Sequence, residues 1–189
     1  MSFVVPEPLQ PARAVPLALA TGLAIGFQRR WGLDLRVKWP NDLLVLDGKG
    51  RSSKIAGILV DRVVGTGPPS LVVGFGVNVS ISRADLPDDL RDRVAILRDL
   101  VPVPPTVDEV ESVVTECVVR TLELLLTTEG ARGLVAEGRT RLHGVGRPAT
   151  VDGVPVGVIR DVADDGSLCV EQAGTLRQVH AGDLVVEET

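Results

Sequence analysis

A chain of 189 residues with 44% apolar content has room for one domain of ordinary size plus a small appendage, which excludes a disordered polypeptide. Its formal charge of −5 excludes nucleic-acid binding through a general basic surface, so any anion must be met by a few placed residues. Cys117 and Cys169 stand far apart without companions at metal-ligand spacing, which points to a reducing interior, the cytoplasm by default, rather than a secreted disulfide framework.

In chain order, MSFVV (1–5) reads as a strand and PEPLQPAR (6–13) as a loop. The apolar run from Ala14 to Phe27 is shorter than the ~20 residues of a membrane span, so it reads as a buried helix over 14–30. Pro16 falls in its first turn and Gly32 beyond its end. No membrane association is expected. Three extended segments follow, at 35–46, 54–64 and 70–80, joined by DGKGRSS and GTGPP, which have the composition of hairpin turns. Links this short cannot join parallel neighbours, so the segments form an antiparallel meander. A short helix is expected through DDLRDRVAILRDL (88–100).

Thr106 and Glu109 have capping-box spacing, and Val107, Val110, Val113, Val114, Cys117, Val118, Leu122 and Leu125 recur at helical intervals. This helix is expected to reach about Thr128 and stop at Gly130. Another helical stretch, ARGLVAEGRTRL, ends at Gly144. Beyond it, short apolar runs broken by Asp152-Gly153, Asp165-Gly166, Ala173-Gly174 and Ala181-Gly182 predict a small β-barrel. The division is therefore 1–144 and 145–189.

The chemistry concentrates in the meander. VKWPND (37–42) begins like a strand, but Pro40 removes a ladder donor, and Asn41 and Asp42 are poor strand residues. Strand alternation puts Gly74, Gly76 and Asn78 on one nearly bare face, with Val73, Phe75 and Val77 on the other. In the middle segment it puts Lys54, Ala56, Ile58 and Val60 on one face and Ile55, Gly57, Leu59 and Asp61 on the other. Bare glycines in a strand allow a ligand or another backbone to come close. Lys54 can offer an ammonium to an anion, and Asp42 beside an amide is a plausible Mg²⁺ contact. Each residue also has a structural reading: Lys54 as a solvated hairpin end, Asn41 and Asp42 as turn formers, and the glycines as room for a packed helix. His143 and His180 stand alone and read as structural or exposed.

Together, KWPNDLLV (38–45), KIAGILV (54–60) and GFGVNVS (74–80), in this order and at these separations, closely resemble the catalytic core of biotin protein ligases. The resemblance includes the preceding helix, and residues 147–184 look like that family's C-terminal SH3-like barrel. It implies an α+β fold: a partial class II aminoacyl-tRNA-synthetase-like mixed sheet with the meander and helices, followed by the barrel. It implies a ligase that uses ATP with Mg²⁺ to make biotinyl-5′-adenylate and then biotinylates a lysine of a biotin carboxyl carrier protein, or of that domain of acetyl-CoA carboxylase. By motif match, Lys54 and Asp42 are catalytic. Lys54, Gly57 and Gly76 contact biotin, while Lys38, Trp39, Asn41 and Asn78 bind the nucleotide. Asp42 is also the Mg²⁺ contact.

The sequence departs from the family in lacking the Gly-Arg-rich loop that precedes the strand matching MSFVV. The expectation is a chain without the N-terminal part of the catalytic domain, which leaves a sheet edge and an apolar face uncovered and favours association, as a homodimer or with a complementing N-terminal fragment. The alternatives are a noncatalytic nucleotide- or carrier-binding remnant, one subunit of a split ligase, and a lipoate or other acyl ligase. No helix-turn-helix precedes the core, so no DNA-binding repressor role is expected.

Overall fold

The computed structural model describes residues 1–6, 12–64 and 69–187; parts of the expected loop at 6–13 and of the expected turn at 65–69 lie outside them. Strand β1 (Ser2–Pro6) is followed by helix α1 (Val15–Trp31). The segment expected to be one extended stretch over 35–46 is instead two strands, β2 (Arg36–Lys38) and β3 (Asp42–Leu46). They form a hairpin whose turn is Trp39, Pro40 and Asn41, with a cis Trp39–Pro40 peptide and Lys38 paired with Asp42 across it. Strands β4 (Ser52–Val63) and β5 (Ser70–Val77) complete the meander. All neighbours are antiparallel in the order β1-β5-β4-β3-β2.

Helix α1 is apolar around nearly its whole circumference because it is buried on both sides. One side packs on the sheet, and the other on α3 (Val107–Leu125) and α4 (Thr128–Thr140). Gly22 and Gly26, one turn apart, permit that second contact: a Cβ on Gly22 would overlap Thr121 Oγ1, and one on Gly26 would overlap Cys117 Sγ. The predicted C-cap is present, since Gly32 adopts φ 71° and its N–H donates to the Gln28 carbonyl at 2.9 Å.

The capping box at α3 forms as expected, with the Glu109 N–H donating to Thr106 Oγ1 and the Thr106 N–H donating to the Glu109 carboxylate. The helix ends within a turn of the expected position, but Gly130 is not its stop. The helix stops at Leu125, Thr127 caps α4 by accepting the Gly130 N–H, and Gly130 lies in the first turn of that helix. A side-chain cap outweighed the stop signal of the glycine.

The helix expected over 88–100 shrinks to α2 (Leu97–Leu100). Just before it, the chain pairs with β4: the Lys54 N–H donates to the Arg93 carbonyl and the Ala95 N–H to the Lys54 carbonyl. Bonding to a distant strand therefore displaced a local helical pattern.

Beyond Gly144 come β6 (Pro148–Val151), β7 (Val154–Val162), β8 (Leu168–Gln172), β9 (Thr175–Val179) and β10 (Leu184–Val186). They make a second antiparallel sheet in the order β10-β6-β7-β8-β9. The molecule is thus α+β with two antiparallel sheets, and one apolar cluster runs from Val5 to Leu184 across Gly144. Among the described residues, no helix is long and apolar enough to cross a membrane. The outer face of the first sheet, opposite α1, exposes Val4, Leu59 and Val63.

Candidate functional site

On that outer face, β3, β4 and β5 enclose an open cleft of about 650 Å³ lined by Asn41, Asp42, Lys54, Gly57, Gly76 and Asn78, together with Leu59, Gly74 and Phe75. Its floor follows from the register. Gly57 pairs with Asp42 on one side and Gly76 on the other, and Gly74 pairs with Leu59. Side chains are therefore absent at Gly57, Gly76 and Gly74, a bare patch across β4 and β5 bounded by Asp42 and Leu59.

Simple alternation puts Lys54 and Gly57 on opposite faces, and here the structure corrects it. Leu43 pairs with Ala56 but Leu44 pairs with Lys54, so Ile55 is an extra residue, a β-bulge. Ile55 and Ala56 are both buried, and Lys54 is turned to the cleft face. A Cβ placed on Gly57 would sit 3.0 Å from both Lys54 Nζ and Asp42 Oδ1.

Asn78 continues the β4–β5 register beyond Val77, opposite Ile55. The Asn78 N–H donates to the Ile55 carbonyl at 2.9 Å, and Asn78 Nδ2 donates to the Lys54 carbonyl at 3.0 Å. From the other side, Asn41 Nδ2 donates to the Ile58 carbonyl at 2.6 Å. Both asparagines thus brace β4 on either side of Lys54 while lining the cleft.

The electrostatics centre on Asp42, whose side chain is 14% exposed. Its Oδ1 lies 2.6 Å from Lys54 Nζ, and its Oδ2 lies 3.9 Å from Lys38 Nζ, which also reaches Asp183 Oδ1 at 3.5 Å. Lys54 is 47% exposed and free to reach outward. Each carboxylate oxygen of Asp42 faces an ammonium group, so a cation bound there would share the carboxylate with Lys54 and Lys38. Among the described residues, no group of three His, Cys, Asp or Glu side chains stands together to hold a metal ion.

Two residues that the resemblance assigns to the nucleotide do not line the cleft. Lys38 lies behind Asp42, and Trp39 is 2% exposed, with its indole Nε1–H donating to the Gly166 carbonyl at 2.8 Å. Gly166, at φ 87°, presses against the backbone of Ala14, so the β7–β8 turn wedges between the start of α1 and the tryptophan. That turn is itself braced. The Ser167 N–H donates to Asp165, which holds the Asp165 carboxyl below its usual range, and Ser167 Oγ lies 2.7 Å from His180 Nδ1. Leu59 and Asp183 were not singled out in the sequence. Alternation around Gly57 could have found Leu59, but Asp183, 145 positions from Lys38, leaves no local signal.

A larger groove of about 940 Å³ lies between α1, α3 and α4 and contains Cys117. It holds none of the motif residues, so volume alone would misplace the site.

The fold and cleft define an α+β protein with a glycine-floored cleft on its first sheet, and comparisons with known proteins narrow the class. No family model matches the chain. It is 31% identical over 156 residues to the biotin--[acetyl-CoA-carboxylase] ligase of Mycobacterium tuberculosis, covering 79% of this chain and 52% of that protein. It is 26% identical over 194 aligned positions to the bifunctional ligase/repressor BirA of Bacillus spizizenii, covering 94% of this chain and 54% of that protein. In fold it resembles a biotin protein ligase from Aquifex aeolicus solved with biotin and ATP, at a TM-score of 0.81 and 17% identity, covering 100% of this chain and 77% of that one. The chain is a relative of the biotin ligases and spans about half the length of the curated relatives it matches.

Proposed function

We propose that the chain carries out the chemistry of a biotin protein ligase. In the first step a biotin carboxylate oxygen attacks the α-phosphorus of ATP; the bond to pyrophosphate breaks and biotinyl-5′-AMP forms. In the second, the amine of a carrier-protein lysine attacks the acyl carbon, forming an amide as AMP leaves and a proton is released. The carrier would be a biotin carboxyl carrier protein or the corresponding domain of acetyl-CoA carboxylase.

The observation that carries this reading is an ammonium, Lys54, held 2.6 Å from a mostly buried carboxylate at the edge of a glycine-floored cleft. Lys54 can turn from Asp42 to the substrate carboxylate and α-phosphate, where it stabilises negative charge as the new bond forms. Gly57 and Gly76 let the ring system of biotin approach the backbone, with Leu59 as an apolar wall. Asn41 and Asn78 flank Lys54 and are the polar groups for the nucleotide. Trp39 serves the same end indirectly, by pinning the hairpin that presents Asn41 and Asp42. The bulges in β6–β7 and β7–β8 bend the second sheet, which supports an SH3-like barrel over 145–189. A cytoplasmic setting suits a substrate protein made there.

The test is biotin-dependent exchange of labelled pyrophosphate into ATP by the purified chain. Exchange with biotin and not lipoate is the expected result, and equal use of lipoate would reassign the substrate. Biotin binding without exchange would favour a noncatalytic module, a reading suggested by the openness of the cleft around Lys54.

A further inference from the structure

Asp42 stands between two ammonium groups that use different oxygens, Lys54 on Oδ1 at 2.6 Å and Lys38 on Oδ2 at 3.9 Å. The two lysines are not equivalent. Lys54 lines the cleft and is 47% exposed; Lys38 lies behind the carboxylate, 22% exposed, and is drawn the other way by Asp183 of the second sheet at 3.5 Å. Asp183 is itself anchored: its N–H donates to Asp152 Oδ1 at 2.9 Å, and its carbonyl accepts the Asp152 N–H at 3.0 Å.

Any anionic ligand in the cleft competes with Asp42 for Lys54. If Lys54 leaves, a carboxylate only 14% exposed loses its closest counter-ion, and an unpaired, mostly buried charge is strongly unfavourable. That cost would hold Lys54 on Asp42 and oppose ligand binding. Lys38 removes the obstacle. A small movement from Asp183 toward Oδ2 would re-pair Asp42 without any backbone change, because Asp183, at 80% exposure, can be left to water.

We propose that Lys38 is a positioning residue, a stand-by counter-ion for Asp42 that releases Lys54 to the anionic substrate, and that Asp183 holds it in reserve from the C-terminal sheet. The role of the anion rests on the ligase reading; the exchange of counter-ions does not.

The experiment therefore has two arms. In the first, melting temperatures at pH 7 and low salt are compared for Lys54→Met, Lys38→Met and the double variant, in the natural chain and in an Asp42→Asn background. Each single change leaves Asp42 one ammonium. The double variant strands it and should melt about 3 °C below the sum of the single shifts, an excess that disappears with Asp42→Asn. Additive shifts would overturn the proposal.

In the second arm, Lys38→Met should lower the maximal rate of biotin-dependent pyrophosphate exchange about tenfold while changing the KM for ATP less than twofold, and Lys38→Arg should restore most of the rate. A Lys38→Met chain exchanging at the natural rate would also overturn the proposal. Absence of exchange in the natural chain would count against the ligase reading alone, and the melting arm would still decide the counter-ion exchange.

Discussion

Gly76→Val separates the two reasons a strand can carry a glycine. A Cβ at Gly76 meets nothing nearer than the Gly57 carbonyl oxygen at 4.0 Å, and Gly76 is not among the glycines with positive φ, so a β-branched residue fits the free chain. Removing an interior strand glycine recovers about 0.5–1 kcal/mol of backbone entropy, and valine favours the pleated conformation. For a chain of this size that corresponds to a melting temperature about 1–4 °C higher. The valine methyls would occupy the space directly above the cleft floor, between Gly57 and Asn78, where the proposed substrate lies. Loss of about 100-fold in biotin affinity, about 2.7 kcal/mol, is the expected result. Differential scanning calorimetry and a calorimetric biotin titration measure the two effects on the same sample. A melting temperature lower by several degrees would show that the fold itself needs the glycine, and affinity within threefold of the natural chain would show that no ligand crosses that strand.

Gly26→Ala should behave in the opposite way, because its Cβ would overlap Cys117 Sγ: stability falls by about 1–3 kcal/mol in urea unfolding, and biotin affinity is retained. Trp39→Phe keeps the buried ring but leaves the Gly166 carbonyl without its donor, so a loss of about 1–3 kcal/mol is expected by the same assay, with a raised KM for ATP from the loosened hairpin. Burial pushes the Cys117 thiol up to about 11, with nearby Glu116 adding to the shift. The thiol is the favoured form in the fold, so its contribution to stability is complete below the unfolded value near 9 and is lost as pH rises through about 11. Alkylation should accordingly be slow at pH 8, and the urea midpoint should fall between pH 9 and 11, less steeply in Cys117→Ala; rapid alkylation at pH 8 would contradict the burial.

Most of the architecture was legible because it is encoded locally. The Thr106–Glu109 box, Pro16 and Gly32 around α1, and the short links of the meander all act within a few residues. The elements that were misjudged each involve competition from distant partners. The segment before α2 exchanged helical bonds for Lys54, and Gly130 does not stop α3 because Thr127 caps the next helix. Within the site, the motifs identified Lys54, Asp42, Asn41, Asn78, Gly57 and Gly76, and the fold collects all six in one cleft. Trp39 and Lys38 belong to the same motif but lie behind it.

What the sequence determined by itself is the kinship, through three ordered motifs, and the antiparallel meander, since strand period and turn composition are properties of neighbouring residues. Only the tertiary structure decided which way Lys54 faces, because a single unpaired residue, Ile55, reverses every side chain on one side of it, and a bulge is set by register with another strand. It also decided that Trp39 meets Gly166 and that Lys38 meets Asp183, contacts between residues more than 120 positions apart, brought together when the second sheet packs against the hairpin.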